Sequence, residues 1–281
     1  MAGLFGLFNY EKEGPGIYKD GPKKHTFIVF FETFFRNFWK FIPINLVYCL
    51  FCLPVFTNGL ANTGITNVTR NTARDKHSFG LPDFFETIKK NAKQAVIVGI
   101  INTFVYLLAI LNAWFYFTST KEIMQIIGLG FSFAVLFVFT IMQYYIWTLM
   151  ITFNYTIKQI YSNSFKFVFV NLWKNLIVFF TNVLLLAISV ALVFIFNNYI
   201  VLFIEILLLV GVYPCFNALL VQFCTFPAIK KFIIDPYYEE HPDADLDKRR
   251  DLGLDIPEEE KTTDSDDEED DDNGIIFEDW L

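Results

Sequence analysis

Residues 54–70 read Pro-Val-Phe-Thr-Asn-Gly-Leu-Ala-Asn-Thr-Gly-Ile-Thr-Asn-Val-Thr-Arg, and the placement of this stretch decides the fold. It carries no charge before Arg70, yet Thr57, Asn58, Gly59, Asn62, Thr63, Gly64, Thr66, Asn67 and Thr69 leave it only weakly hydrophobic. As a helix it is just long enough to cross a hydrocarbon core of about 30 Å, helped by local thinning of the bilayer. As a loop it leaves the chain on the far side.

The surrounding sequence is far too apolar for an ordinary soluble domain: 54% of the 281 residues are hydrophobic, 19% are aromatic, and 35 are Phe. An apolar run at 41–56 precedes the stretch, and runs at 95–117, 126–151, 172–196 and 200–226 follow it. Each of the four later runs is long enough to span a bilayer.

Basic residues near span ends stay on the cytoplasmic side, which discriminates between the two placements. With 54–70 as a second span there are six spans, the N-terminus is inside, and 21 of the 22 Lys and Arg are cytoplasmic, Lys121 being outside. With 54–70 as a loop the better orientation keeps only 15 inside and strands Lys12, Lys19, Lys23, Lys24, Arg36 and Lys40. The expectation is therefore an all-α polytopic transmembrane bundle of about six spans in the cell membrane, with both termini cytoplasmic. Residues 54–70 are its unusually polar second helix, or a half-penetrating hairpin arm.

Three regions follow: a cytoplasmic N-terminal segment (1–26), the helical membrane domain (27–234) and a tail (235–281). The net charge of -8 conceals a division, since 1–234 holds 18 basic against 9 acidic residues and 235–281 holds 4 against 21. So acidic a tail, low in aromatics, buries too little apolar surface to repay ordering. It closes on an apolar cluster in which Phe277 and Trp280 are candidate partner-binding residues. Residues 1–8 are apolar, but Glu11, Lys12 and Glu13 leave no room for a signal-peptide core, so a retained interfacial element is expected.

Glu32, Arg36 and Lys40 recur on one helical stripe, which predicts an amphipathic helix leading into the first span. Surface helices are expected over 70–93 and 155–175. Their Lys89, Lys90, Lys93 and Lys158 are candidates for meeting anionic lipid or a soluble partner.

Thr57, Asn58, Asn62, Thr63, Thr66 and Glu205 are the candidate polar residues inside the membrane. The first five belong to 54–70, where Thr57, Asn58, Asn62, Thr66 and Thr69 lie near one stripe and Gly59 with Thr63 forms a small-xxx-small pair. One reading is close helix packing with interhelical hydrogen bonds. The other is a polar path for a small solute, which makes the protein a transporter or channel. Glu205 lies near the outer end of the sixth span and suits an interfacial role. Pro214 predicts a kink whose freed carbonyl is satisfied by a neighbour.

Catalytic chemistry finds no support. The sequence has no P-loop, no GxGxxG after a strand and no HExxH, and His25, His77 and His241 are scattered. Cys49, Cys52, Cys215 and Cys224 all lie in apolar runs, where a thiolate is disfavoured, and are read as buried small side chains. No enzyme activity, cofactor, metal or nucleic-acid partner is expected.

Several short motifs do carry a resemblance. They are Leu7-Phe8-Asn9-Tyr10, the Gly14-Pro15-Gly16 turn, Phe38-Trp39-Lys40, Leu53-Pro54-Val55, Arg74-Asp75, Asp83-Phe84 and Lys89-Lys90-Asn91-x-Lys93-Gln94. Together they resemble the YesL-like family of bacterial integral membrane proteins, a domain of unknown function (number 624), most strongly over 38–94. The resemblance implies an accessory role beside a carbohydrate ABC transporter and supplies no functional residues. The long acidic tail and the polar second helix depart from the family's usual pattern.

Overall fold

A lone amphipathic helix cannot bury its apolar stripe, so this chain folds by packing helices against one another. The computed structural model describes residues 25–118 and 121–240, and these are helical without strands. The helices are α1 (Thr26–Arg36), α2 (Phe38–Cys52), α3 (Asn58–Ala73), α4 (Leu81–Phe117), α5 (Glu122–Thr152), α6 (Ile157–Val170), α7 (Leu172–Phe196), α8 (Tyr199–Gly211), α9 (Tyr213–Ile229) and α10 (Asp235–Glu240). A single 3-10 turn, Val55–Thr57, joins α2 to α3, and a π-turn, Lys230–Ile234, joins α9 to α10.

Among the described residues four helices are long and apolar enough to cross a membrane: α4, α5, α7 and the continuous run Tyr213–Glu240. The chain is thus a polytopic helical membrane bundle, but the expected count of about six spans is not confirmed. Helices α2 and α3 have 15 and 16 residues. At 1.5 Å per residue they measure about 23 and 24 Å, short of a core of about 30 Å.

Three boundaries also differ from the sequence reading. The Glu32/Arg36/Lys40 stripe is interrupted at Asn37, so Lys40 belongs to α2. The charged segment and the span that follows it form one 37-residue helix, α4, because lysines on its surface need not end a helix. The run 200–226 is divided at Val212 into α8 and α9.

The turn between α3 and α4 is held to the start of α2. Asp75 stands in the left-handed region (φ 52°) and pairs with Arg36, while the Lys40 ammonium donates to the Ser78 carbonyl. Gly80 (φ 77°) then starts α4 in a conformation a side chain would strain. Helix α6 opens on a capping box: the Thr156 hydroxyl accepts from the Gln159 N–H and the Gln159 side chain accepts from the Thr156 N–H.

Two packed clusters form the interior. One joins α1, α2, α3, α4 and α9 through Phe30, Phe34, Phe41, Ile65, Val68, Phe84 and Leu219. The other joins α4, α5, α6, α7 and α9 through Tyr145, Leu149, Ile160, Val168, Val178 and Ile229. The buried positions of α4 (Phe84, Thr87, Ile88, Ala95, Val98) recur at the same spacing across α6 and α7 (Ser164, Phe167, Val168, Asn175, Val178). The α6–α7 pair therefore repeats α4 with a break at Asn171: an amphipathic half comes first and an apolar half follows.

Candidate functional site

Helix α3 is the most enclosed element of the bundle, packed by α4, α9, α2 and α5. Its small residues allow this. A Cβ placed on Gly99 of α4 would lie 2.8 Å from the Gly59 backbone, and one placed on Gly64 would lie 2.6 Å from the Phe84 ring.

Most of the α3 polar side chains are bonded within this packing, although the Arg70 Nε is buried without a partner. The hydroxyls of Thr63, Thr69 and Thr72 donate to the carbonyls of Gly59, Ile65 and Val68, each at 2.8 Å, one turn back. Asn62 donates to the Asn58 carbonyl (2.9 Å) and side chain (2.8 Å), and accepts from the Tyr48 hydroxyl of α2 (3.2 Å). The Cys52 thiol lies 3.7 Å from the Asn58 side-chain oxygen. Thr57 closes the α2–α3 turn onto the carbonyls of Phe51 and Pro54, and Thr66 is buried. Of the two readings of 54–70, these contacts are those of close packing.

At the far end of α3, Asn67 donates to Thr87 of α4 (2.7 Å). The Arg70 guanidinium donates to Asn67 (2.9 Å) and to Thr152 of α5 (2.7 Å). Among the described residues no carboxylate pairs with Arg70. Its position in the last turn of α3 places the cation against the negative end of the helix dipole.

The α8–α9 break carries the most specific geometry. Pro214 has no N–H for the Val210 carbonyl, and the Cys49 thiol of α2 approaches that oxygen at 3.9 Å. Asn45 of α2, fully buried, inserts into the next rung. Its amide donates to the Gly211 carbonyl (2.7 Å) and accepts from the Cys215 N–H (2.8 Å), replacing the helical bond those two groups would share. The predicted kink and its satisfied carbonyl are both present.

A second polar junction ties α5 to α6, α7 and α9. The Tyr145 hydroxyl donates to the Asn175 side-chain oxygen (2.7 Å) and accepts from Asn171 (2.9 Å), which also donates to the Cys224 carbonyl (3.1 Å). Nearby, the Tyr161 hydroxyl donates to Asn102 (2.6 Å), whose amide donates to Gln143 (2.9 Å). On α6, outside the apolar spans, burial pushes the Tyr161 hydroxyl above the usual tyrosine range, so it keeps the proton it donates. We expect Tyr145→Phe to strand the buried Asn175 oxygen and lower stability by about 1–3 kcal/mol, measured by unfolding in detergent.

Lys89, Lys90 and Lys93 of α4 and Lys158 of α6 are all exposed. Glu205 is half-buried on α8, away from the α3 residues it was grouped with. The tail begins as helix α10 (Asp235–Glu240), whereas Phe277 and Trp280, like residues 1–8 and the rest of the tail from 241, lie outside the described residues. The four cysteines are free, and the described residues hold no group of three or more His, Cys, Asp or Glu able to bind a metal.

Sequence reasoning named α3 but assigned no structural role to Asn45, Asn102, Tyr145, Asn171 or Asn175. A lone amide in an apolar run was the available signal, since a buried amide must find partners.

No curated protein and no solved structure matches the chain. Residues 41–113, which run from α2 through α3 into the apolar half of α4, carry the domain of the family described as "Protein of unknown function, DUF624", the YesL-like family whose motifs this stretch displays.

Proposed function

We propose that the protein is a non-enzymatic membrane protein of the cell membrane, with both termini cytoplasmic, acting as accessory or regulatory partner of a carbohydrate ABC uptake system. One observation supports this above the rest. Most polar side chains of α3 are bonded within their own bundle, whereas Lys89, Lys90, Lys93 and Lys158 stand exposed on the amphipathic half of α4 and on its counterpart α6. A cationic surface of this kind suits an acidic face of a cytoplasmic partner. The transport system itself comes from the family resemblance.

The test is affinity purification from native membranes, comparing the full chain with a variant in which the four lysines are changed to Glu. Transporter components should be recovered with the unaltered chain and fall by at least about tenfold with the variant, as expected for opposed like charges. Recovery of no transporter component with the unaltered chain removes the reading.

A further inference from the structure

We infer that the α2–α3 hairpin is re-entrant: it enters the membrane from the side bearing Lys89, Lys90 and Lys93, turns within the near half of the hydrocarbon, and leaves by the same side. Its base is fixed at that side, where Arg36 meets Asp75, Lys40 meets the Ser78 carbonyl, and α3 leads through Gly80 into α4.

The position of its tip is read along α4. Asn67 meets Thr87, Gly64 meets Phe84, and Gly59, one residue into α3, meets Ala95 and Gly99. Beyond Gly99, α4 turns to α5 instead: Asn102 bonds Gln143, Tyr106 meets Phe139 and Tyr116 abuts Gly128. From Gly99 to Phe117 the helix runs on for about 27 Å. The last charge on α4 is Lys93, about 9 Å before Gly99. Tilting α4 by 40°, the top of the range for membrane helices, still leaves the level of Gly59 about 20 Å short of Phe117. Gly59, next to the tip, thus lies roughly a third of the way into a core of about 30 Å.

The chemistry of the tip agrees. Leu53, Val55 and Phe56 are 77%, 62% and 60% exposed, and no charged residue lies between Phe41 and Thr69. The apolar surface of α4 continues beside them through Ile97 and Ile100. Acyl chains of the near leaflet are the occupant that suits such a surface, and at the turn the Thr57 hydroxyl bonds the Phe51 and Pro54 carbonyls. A returning hairpin preserves the side on which the N-terminus lies, so it retains the charge distribution that first argued for an even number of crossings. That the near side is cytoplasmic rests on the orientation proposed above. The re-entry does not.

The test is labelling of single cysteines by a membrane-impermeant maleimide, applied from each side to the full chain with Cys49, Cys52, Cys215 and Cys224 changed to Ala. Lys90→Cys and Thr118→Cys mark the two surfaces, and whether Lys90→Cys reacts from the cytoplasm tests the orientation separately. Val55→Cys and Phe56→Cys are expected to react from neither side. A spin label at position 55 should be relaxed more by oxygen than by a water-soluble nickel chelate. Labelling of position 55 or 56 from the Thr118 side establishes a full crossing, and labelling from the Lys90 side establishes a surface hairpin. Either result overturns the inference.

Discussion

Gly59→Val is expected to abolish recovery of folded protein from the membrane, while Gly130→Val leaves it unchanged. A Cβ at Gly59 collides with the Ala95 carbonyl and approaches Gly99 Cα at 3.0 Å, so the obstacle is backbone on both counts. Overpacking costs about 1–3 kcal/mol where neighbouring side chains can yield. Here α4 itself must move, and α4 is anchored on the other side by α5 through Asn102 and Tyr106. The cost should reach or exceed the upper end of that range. A Cβ on Gly130 of α5 meets nothing within 4 Å, so valine there only adds apolar surface toward lipid. Size-exclusion of a fluorescent fusion from solubilised membranes reads the difference. A monodisperse peak of full height for Gly59→Val would show that α3 and α4 do not approach as closely as Gly59 and Gly99 require.

The helical class and the apolar runs were legible because a bilayer demands long apolar helical runs, and α4, α5 and α7 contain them. Gly59 was legible for the same kind of reason: a small residue one turn from another small residue marks close approach whatever the partner. Pro214 was legible because proline lacks an N–H in every context. What each residue meets was not. Asn45 lies 166 residues from Gly211, and no local pattern couples them. The span count was less legible, because 54–70 can be uncharged without facing lipid. Helix neighbours surround α3, and threonine hydroxyls bonded to their own helix are tolerated there. Charge pattern likewise suggested a boundary at Lys93 that the continuous α4 ignores.

Asn45→Leu is expected to destabilise the bundle by roughly 2–6 kcal/mol, because it strands two buried backbone groups at about 1–3 kcal/mol each. The leucine matches the amide in size but bonds neither the Gly211 carbonyl nor the Cys215 N–H. These two groups could pair with each other if α8 and α9 straightened into one helix. Pro214 prevents it, since its ring would collide with the Val210 carbonyl in a regular turn. The penalty should therefore depend on the proline. Pro214→Ala alone restores a donor for Val210 at a site the Cys49 thiol now serves, and a change within about 1 kcal/mol is expected, since the native break is already bonded. In the double variant the helix is free to close its own rung, so at least half of the Asn45→Leu loss should return. Melting of the four proteins in detergent gives the coupling directly. Additive effects would mean that Asn45 packs beside the break without bridging it, and that the α8–α9 geometry is set elsewhere.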